Sequence, residues 1–359
     1  MTSGTQKNLL QEWFPHTAKP FIANAPMLGF TDVRMANAVT RAGSLGFVGG
    51  GFDFRPESIQ LADLDANLAK AGSELKEIHE DDKDLPIGVG FITLTPKGFE
   101  NAVAILQKHR VAAVWLSFPQ SDSDHLSLID NLRKAKEASP CDWNLKIFVQ
   151  VGTVEAAKVA MEQGADVLVV QGTDAGGHQW AQGASLMSLL PEIRDTRDSD
   201  SRFGNVAIVG AGGIVDGRGC LAALGLGAEG VVMGTRFVAT AECPAPEEIK
   251  QVIVHAKDGA TSTVKSVQHD VYQSTDVFPR QYDGRAVIGL SYTDFQGGIA
   301  DDEIIRRYNE ARQKGENHRR TVWAGASVGV IHSVVTVEDL IKSIRAEMKS
   351  ALTKLMGNI

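Results

Sequence analysis

The segment Gln171-Gly-Thr-Asp-Ala-Gly-Gly-His178 is built for proton chemistry. Gly176-Gly177 lets the chain turn sharply after an apolar run and leaves His178 at the end of the loop. An imidazole has an ordinary pKa of about 6.5, so one held at such a rim can act as a general base near neutrality. Asp174, in the same loop, is a candidate to orient it. The other histidines lack this context. His16, His79, His109, His125 and His318 fall in predicted helices or polar loops, and His255, His269 and His332 stand outside any motif.

Two glycine turns suit an anion. Val209-Gly-Ala-Gly-Gly-Ile214 and Val232-Met-Gly-Thr-Arg-Phe237 each follow a predicted strand. The backbone N–H groups of Gly212, Gly213, Gly234 and Thr235 can point at phosphate oxygens there, because no Cβ blocks the approach. Gly210-x-Gly212 is not a dinucleotide fingerprint, since the full spacing and its acidic partner are missing. In Asn24-Ala-Pro-Met27, Pro26 stiffens the turn, and Met27 is either a soft surface for a flat aromatic cofactor or an ordinary core side chain. Gln150 and Gln171 end predicted strands, where an amide can meet a heteroaromatic edge or a neighbouring backbone group. The sequence carries no paired carboxylates, zinc-ligand spacing or GxSxG elbow, so no metal is expected.

The elements that position these residues read as strand–helix units. Eight short apolar runs recur, at 21–27, 46–50, 87–92, 113–117, 147–151, 167–171, 206–210 and 230–234. They are nearly uninterrupted, as strands of a parallel sheet covered on both faces should be. Helix-period segments lie between them; one begins at Thr153 and stops at Gly164, and another runs over 218–225. Polar and glycine-rich residues always come after a strand, never before one. That asymmetry favours a (β/α)8 barrel, whose functional loops share one face, over an open doubly wound sheet. The alternation stops after the eighth strand. We therefore expect the barrel over 1–242, an inserted small domain leaning over its mouth over 243–320, and a return segment with the last barrel helix over 321–359. The insertion should hold a polar stretch at 257–276 and a helix at 301–314. The last helix, 337–355, should present Leu340, Ile341, Ile344, Met348, Leu352 and Leu355 on one face. The charged stretches 74–84 and 192–202 read as solvated loops. The basic run through Arg306, Arg307, Arg312, Lys314, Arg319 and Arg320 reads as a wet helix face.

Composition narrows the class. The chain has 359 residues with 36 Lys+Arg against 44 Asp+Glu, a formal charge of −8, which argues against a nucleic-acid partner. Three scattered cysteines, Cys141, Cys220 and Cys243, do not make a disulfide framework. No apolar run reaches the ~18 residues of a membrane span, and neither end of the chain carries a recognisable address. A cytoplasmic enzyme is the expectation, with homo-oligomerisation left open.

These motifs together resemble the nitronate monooxygenase family, formerly the 2-nitropropane dioxygenases. The resemblance spans nearly the whole chain. It rests on Ala25-Pro-Met27, Pro86-Ile-Gly-Val-Gly-Phe91, Gln150-Val-Gly-Thr153, Gln171-Gly-Thr-Asp-Ala-Gly-Gly-His178, Ala211-Gly-Gly213 and Met233-Gly-Thr-Arg236. It implies an FMN-dependent (β/α)8 barrel with an extra substrate-side domain. Ala25, Pro26 and Met27 would line the flavin ring, and Ala211, Gly212, Gly213, Gly234 and Thr235 would hold the FMN phosphate. Gln150, Gln171, Gly176 and Gly177 would complete the cofactor site. His178 would be the catalytic base beside flavin and substrate. The implied reaction takes an alkyl nitronate, and in some members a neutral nitroalkane, with O2 to a carbonyl compound and nitrite. The same scaffold also serves FMN-dependent NAD(P)H:quinone and enoyl reductases, which is the alternative reading.

Overall fold

The structure, a computed structural model, describes residues 8–78, 83–121, 124–275 and 277–358. Positions 79–82, which include His79 and the middle of the expected charged loop, lie outside the described residues, as does position 276.

Nine strands precede residue 240, and eight of them are parallel: β1 (Phe21–Asn24), β2 (Gly46–Gly51), β3 (Leu85–Ile92), β4 (Val111–Ser117), β5 (Lys146–Val151), β6 (Val167–Gln171), β8 (Ala207–Ala211) and β9 (Gly230–Met233). The odd one out is β7 (Gly177–Trp180), discussed below. The parallel strands run in the order β1-β9-β8-β6-β5-β4-β3-β2. A parallel bridge from Ala23 to Leu45 joins β1 to the edge of β2 and closes the cylinder. This is a (β/α)8 barrel.

The continuous apolar runs follow from having two buried faces. Phe21, Ala23, Phe47, Trp115, Phe148, Val169, Val209 and Val232 fill the interior. Their neighbours Ile22, Val48, Val114, Ile147, Leu168, Ile208 and Val231 face the surrounding helices. Inside, the Phe47 ring meets Trp115 edge-on at 5.5 Å and Phe148 at 5.4 Å. Phe14, just after the helix Leu9–Trp13, plugs the lower end against Phe21 and Phe148, at 5.8 and 6.0 Å. The interior and lower end are packed core, so a ligand has only the upper mouth. The outer helices are capped as the sequence indicates. Thr153 Oγ1 accepts from the Ala156 N–H at 3.0 Å to start Val154–Glu162, and Gly164 turns the chain out at φ +92°.

Several expectations are revised. The first strand stops at Asn24, because the Asn24 side chain turns across to β2: its Nδ2 donates to the Phe47 carbonyl and its Oδ1 accepts from the Phe47 N–H, both at 2.9 Å. The stretch 192–202 is no loop. It lies mostly in the helix Leu186–Asp198, with Arg197 buried and paired with Glu229 at 3.1 Å. The last helix runs Val337–Met356 and buries Leu340, Ile341 and Ile344, but Leu352 and Leu355 are exposed. The basic run is a wet helix face, as read: in Asp301–Gln313, Arg306 and Arg307 pair with Glu303, and Arg307 and Arg319 share Asp294.

Beyond the barrel, β10 (Thr263–Ser266) and β11 (Tyr282–Val287) join β7 in an antiparallel sheet of order β10-β11-β7. β7 leaves the barrel just after β6. The segment after residue 242 is therefore hydrogen-bonded to a barrel loop, with His178 opposite Gly284.

Candidate active site

His178 does not sit at a loop end as expected. It is the second residue of β7, held by backbone pairing to β11. A short strand fixes the ring more firmly than a loop could. The two strand-end glutamines tie this strand to the barrel: Gln150 Nε2 donates to Gln171 Oε1 at 2.9 Å, and Gln171 Nε2 donates to the His178 carbonyl at 3.1 Å. Of the two options open for them in sequence, Gln171 takes the backbone one.

The orienting carboxylate is not Asp174. His178 Nε2 lies 2.9 and 3.0 Å from the two carboxylate oxygens of Asp270, in the short helix Gln268–Gln273. Asp174 is turned to the glycine turn after β8, where a Cβ on Gly213 would come within 2.9 Å of its own Cβ. Asp270 lies inside the stretch read as polar and unremarkable, 92 residues from its partner. No local spacing signals the pair. The ring is also enclosed by aromatics that sequence did not single out. Phe278 stacks on it at 3.7 Å and 11°, Trp323 lies 4.8 Å away, and Phe118 meets it edge-on at 6.2 Å. Gly284, opposite His178, makes room for Trp323: a Cβ there would come 2.4 Å from its ring.

The backbone N–H groups of Gly212, Gly213, Gly234 and Thr235 donate to no group among the described residues. Gly212 and Gly213 have φ +98° and +75°, a conformation that favours glycine, and a Cβ on Gly212 would come 2.6 Å from the Gly172 carbonyl oxygen. Gly234 differs. Its φ is −103°, and a Cβ would meet only Met27 Sδ at 3.5 Å and Ala25 Cβ at 3.8 Å. The packing of the chain does not demand glycine there; what its missing side chain leaves is space between Ala25, Met27 and the free N–H groups. Pro26 packs against Gly90, where a Cβ would come 2.2 Å from its ring. Ala25, Pro26 and Met27 are all half-buried, while Ala211 is buried.

The return segment ties these loops together. Gly325 N–H donates to Thr235 Oγ1 at 3.0 Å, Ala326 N–H to the Asp174 carbonyl at 2.9 Å, and Ser327 Oγ to the Gly213 carbonyl at 2.7 Å. Gly176 takes part through close approach, since a Cβ would lie 2.5 Å from the Ala324 backbone; at Gly177 the requirement is its φ of +72°. A cavity of about 520 Å3 opens beside Gln150, walled by Thr153, Trp180, Arg280 and Tyr282. His178 is not among its lining residues. Among the described residues no group of His, Cys, Asp and Glu could hold a metal ion, and no helix is long and apolar enough to cross a membrane.

A histidine paired with a buried carboxylate, and N–H groups without partners among the described residues in the turns after β8 and β9 of a (β/α)8 barrel, are features of a barrel enzyme. The nitronate monooxygenase family profile matches residues 11–347. A nitronate monooxygenase of Neurospora crassa is 40% identical over 97% of this chain and 94% of its own. The nitronate monooxygenase npaC of Metarhizium robertsii is 34% identical over 98% of both. The chain belongs to the nitronate monooxygenase family and is an oxidoreductase. Among solved structures it resembles FabK from Thermotoga maritima, with a TM-score of 0.73, 24% identity and coverage of 99% and 100%. It also resembles the nitroalkane oxidase of Streptomyces ansochromogenes, with a TM-score of 0.72, 22% identity and coverage of 97% and 99%. At these identities the two structures speak for the fold.

Proposed function

We propose that this chain uses FMN to oxidise alkyl nitronates, and neutral nitroalkanes after deprotonation, with O2 to a carbonyl compound and nitrite, His178 acting as the base. Two observations carry the reading: an imidazole on the strand that follows β6, fixed by a carboxylate, and, after β8 and β9, four backbone N–H groups that donate to nothing among the described residues.

The residues fit FMN. A phosphate at the N–H groups of Gly212, Gly213, Gly234 and Thr235 would satisfy donors that the protein leaves open, which is the usual reason for such turns. Ala25 and Met27, next to Gly234, would line the flat ring, with Pro26 between them. Ala211, Gln150, Gln171, Gly176 and Gly177 would complete the surroundings. When bound, the flavin supplies the electron acceptance that no side chain offers.

The protein's part is binding, orientation and the proton. A neutral nitroalkane has an acidic C–H beside the nitro group. His178 takes that proton, and the C–H electron pair moves into the nitro group to give the anionic nitronate. The imidazolium so formed lies beside its product and stabilises the new charge. Phe278, Trp323 and Phe118 keep water from the imidazole and offer apolar walls to an alkyl chain. We take 243–320 as the substrate-side unit, because it supplies Asp270, Phe278 and β11. Small nitro compounds and O2 are then the partners.

Oxygen uptake with ethylnitronate and with nitroethane, each with and without NADH, tests this reading. The expected result is a yellow protein that consumes O2 with ethylnitronate and needs no NADH. Rapid anaerobic bleaching of the flavin by NADH, with no turnover of either nitro compound, would instead make it a reductase.

A further inference from the structure

We propose that Asp270 is a positioning residue for His178: its buried carboxylate keeps a proton on Nε2, which makes Nδ1 the atom that takes the substrate proton. The inference rests on the reading of His178 as base.

The contact geometry fixes the tautomer. Both oxygens of Asp270 lie within hydrogen-bond distance of Nε2, at 2.9 and 3.0 Å. An ionised carboxylate only accepts, so Nε2 must donate. A neutral imidazole has one N–H, and its lone pair is then on Nδ1. Asp270 is buried, and among the described residues its carboxylate has no donor other than His178. A buried carboxylate with one donor is strongly bound to it, because losing that N–H leaves a buried acceptor unsatisfied. The aromatic enclosure keeps the ring from turning over: Phe278 stacks on one face and Trp323 closes in at 4.8 Å. A flipped ring would set a carbon against the carboxylate.

The arrangement has a consequence for the proton step. When the substrate C–H breaks, its electron pair enters the nitro group and the proton goes to Nδ1. The imidazolium then carries both N–H groups, and the one on Nε2 still faces Asp270. The carboxylate thus favours the charged state that the step creates. Asp270 belongs to the segment after the barrel, so the base is assembled from two parts of the chain.

Paired substrates test this, since nitroethane needs a base and ethylnitronate does not. In Asp270→Asn with flavin bound, kcat/KM for nitroethane should fall at least about tenfold, while that for ethylnitronate stays within about threefold. Asp270→Glu should recover part of the loss. An equal fall with both substrates would make Asp270 merely structural, and no change with either would remove it from the mechanism; each overturns the proposal. Wild-type turnover of ethylnitronate without nitroethane overturns it too, but leaves nitronate oxidation standing. Turnover of neither takes down the reading of the function itself. If the variants do not retain flavin, the wild-type holoprotein decides. Its His178 15N signals, assigned by their loss in His178→Asn, should show Nε2 protonated and Nδ1 not; the reverse refutes the proposal.

Discussion

At the level of single residues, His178 is legible because it is the one histidine that stands directly behind a glycine pair after an apolar run. What the sequence could not supply was its partner. Asp174 is close in sequence, yet backbone direction after Gly172 turns it towards Gly213, and the partner, Asp270, lies 92 residues from His178 along the chain. Asp174 sits within a tight turn closed by the Ala175 N–H on the Gly172 carbonyl at 3.0 Å, and that turn ends before the strand that carries His178, so closeness in sequence does not bring the two together. The same limit hid Phe278 and Trp323, ordinary aromatics until β7 and β11 pair. A first prediction follows for the residue itself. His178→Asn removes the base and keeps a small polar side chain, whose amide stops short of the position from which Nε2 meets Asp270. Nitroethane oxidation should fall by about 10²–10⁴-fold, the usual worth of a positioned base, with flavin content unchanged. Steady-state oxygen uptake normalised to bound flavin measures it, and an unchanged rate with nitroethane would take His178 out of the chemistry.

At the level of elements, the eight parallel strands were readable because each is buried on both faces and shows as an unbroken apolar run. β7 was not. It is a four-residue strand, Gly-His-Gln-Trp, whose character comes from pairing with β11 about a hundred residues later rather than from its own composition. The sequence argument for the turns after β8 and β9 is ligand access to the backbone, whereas at Gly212 and Gly213 a positive φ already requires glycine. Gly234 separates two roles that glycine can play. Its backbone does not need glycine for φ, and a Cβ meets only ordinary contacts. Gly234→Val should therefore fold, with a stability change of about 1 kcal/mol or less, while its methyl groups occupy the space beside Met27. Flavin should be lost on dialysis, at least about tenfold faster than from wild type, a loss of roughly 1.4 kcal/mol in binding. Gly212→Val should instead lower the melting temperature of the flavin-free protein, since its Cβ is driven towards the Gly172 carbonyl. Equal thermal shifts in the two flavin-free variants would show that the turns serve only the fold.

At the level of the whole molecule, burial favours the neutral form of His16, His125 and His269, and this bears on how the protein meets acid. His125 is buried in the helix Asp124–Glu137, with Nε2 2.8 Å from Thr93 Oγ1, and burial lowers its pKa to about 4. Burial likewise lowers His16 to about 4, against a smaller opposing contribution from the Ser44 backbone. In the unfolded chain both return to about 6.5. Between those values the unfolded state binds more protons than the folded one. The stability they contribute is complete above about pH 6.5 and is lost as pH falls towards 4. The full shift corresponds to on the order of 3 kcal/mol for each ring. Buried carboxyls work the other way. Burial raises Asp84, Glu229 and Asp283, so the folded state takes up their protons first, and they add stability as the pH falls. A melting curve of the wild type alone mixes the two. His125→Gln separates them, because its amide can still meet Thr93 Oγ1 and cannot be protonated in this range. Above pH 7 it should be no more stable than wild type. From pH 6.5 to 4.5 its melting temperature should fall less steeply, so that the difference moves steadily in the variant's favour. Parallel curves across that window would mean that His125 takes up its proton inside the fold as readily as outside it, and would remove it from the acid response of this barrel.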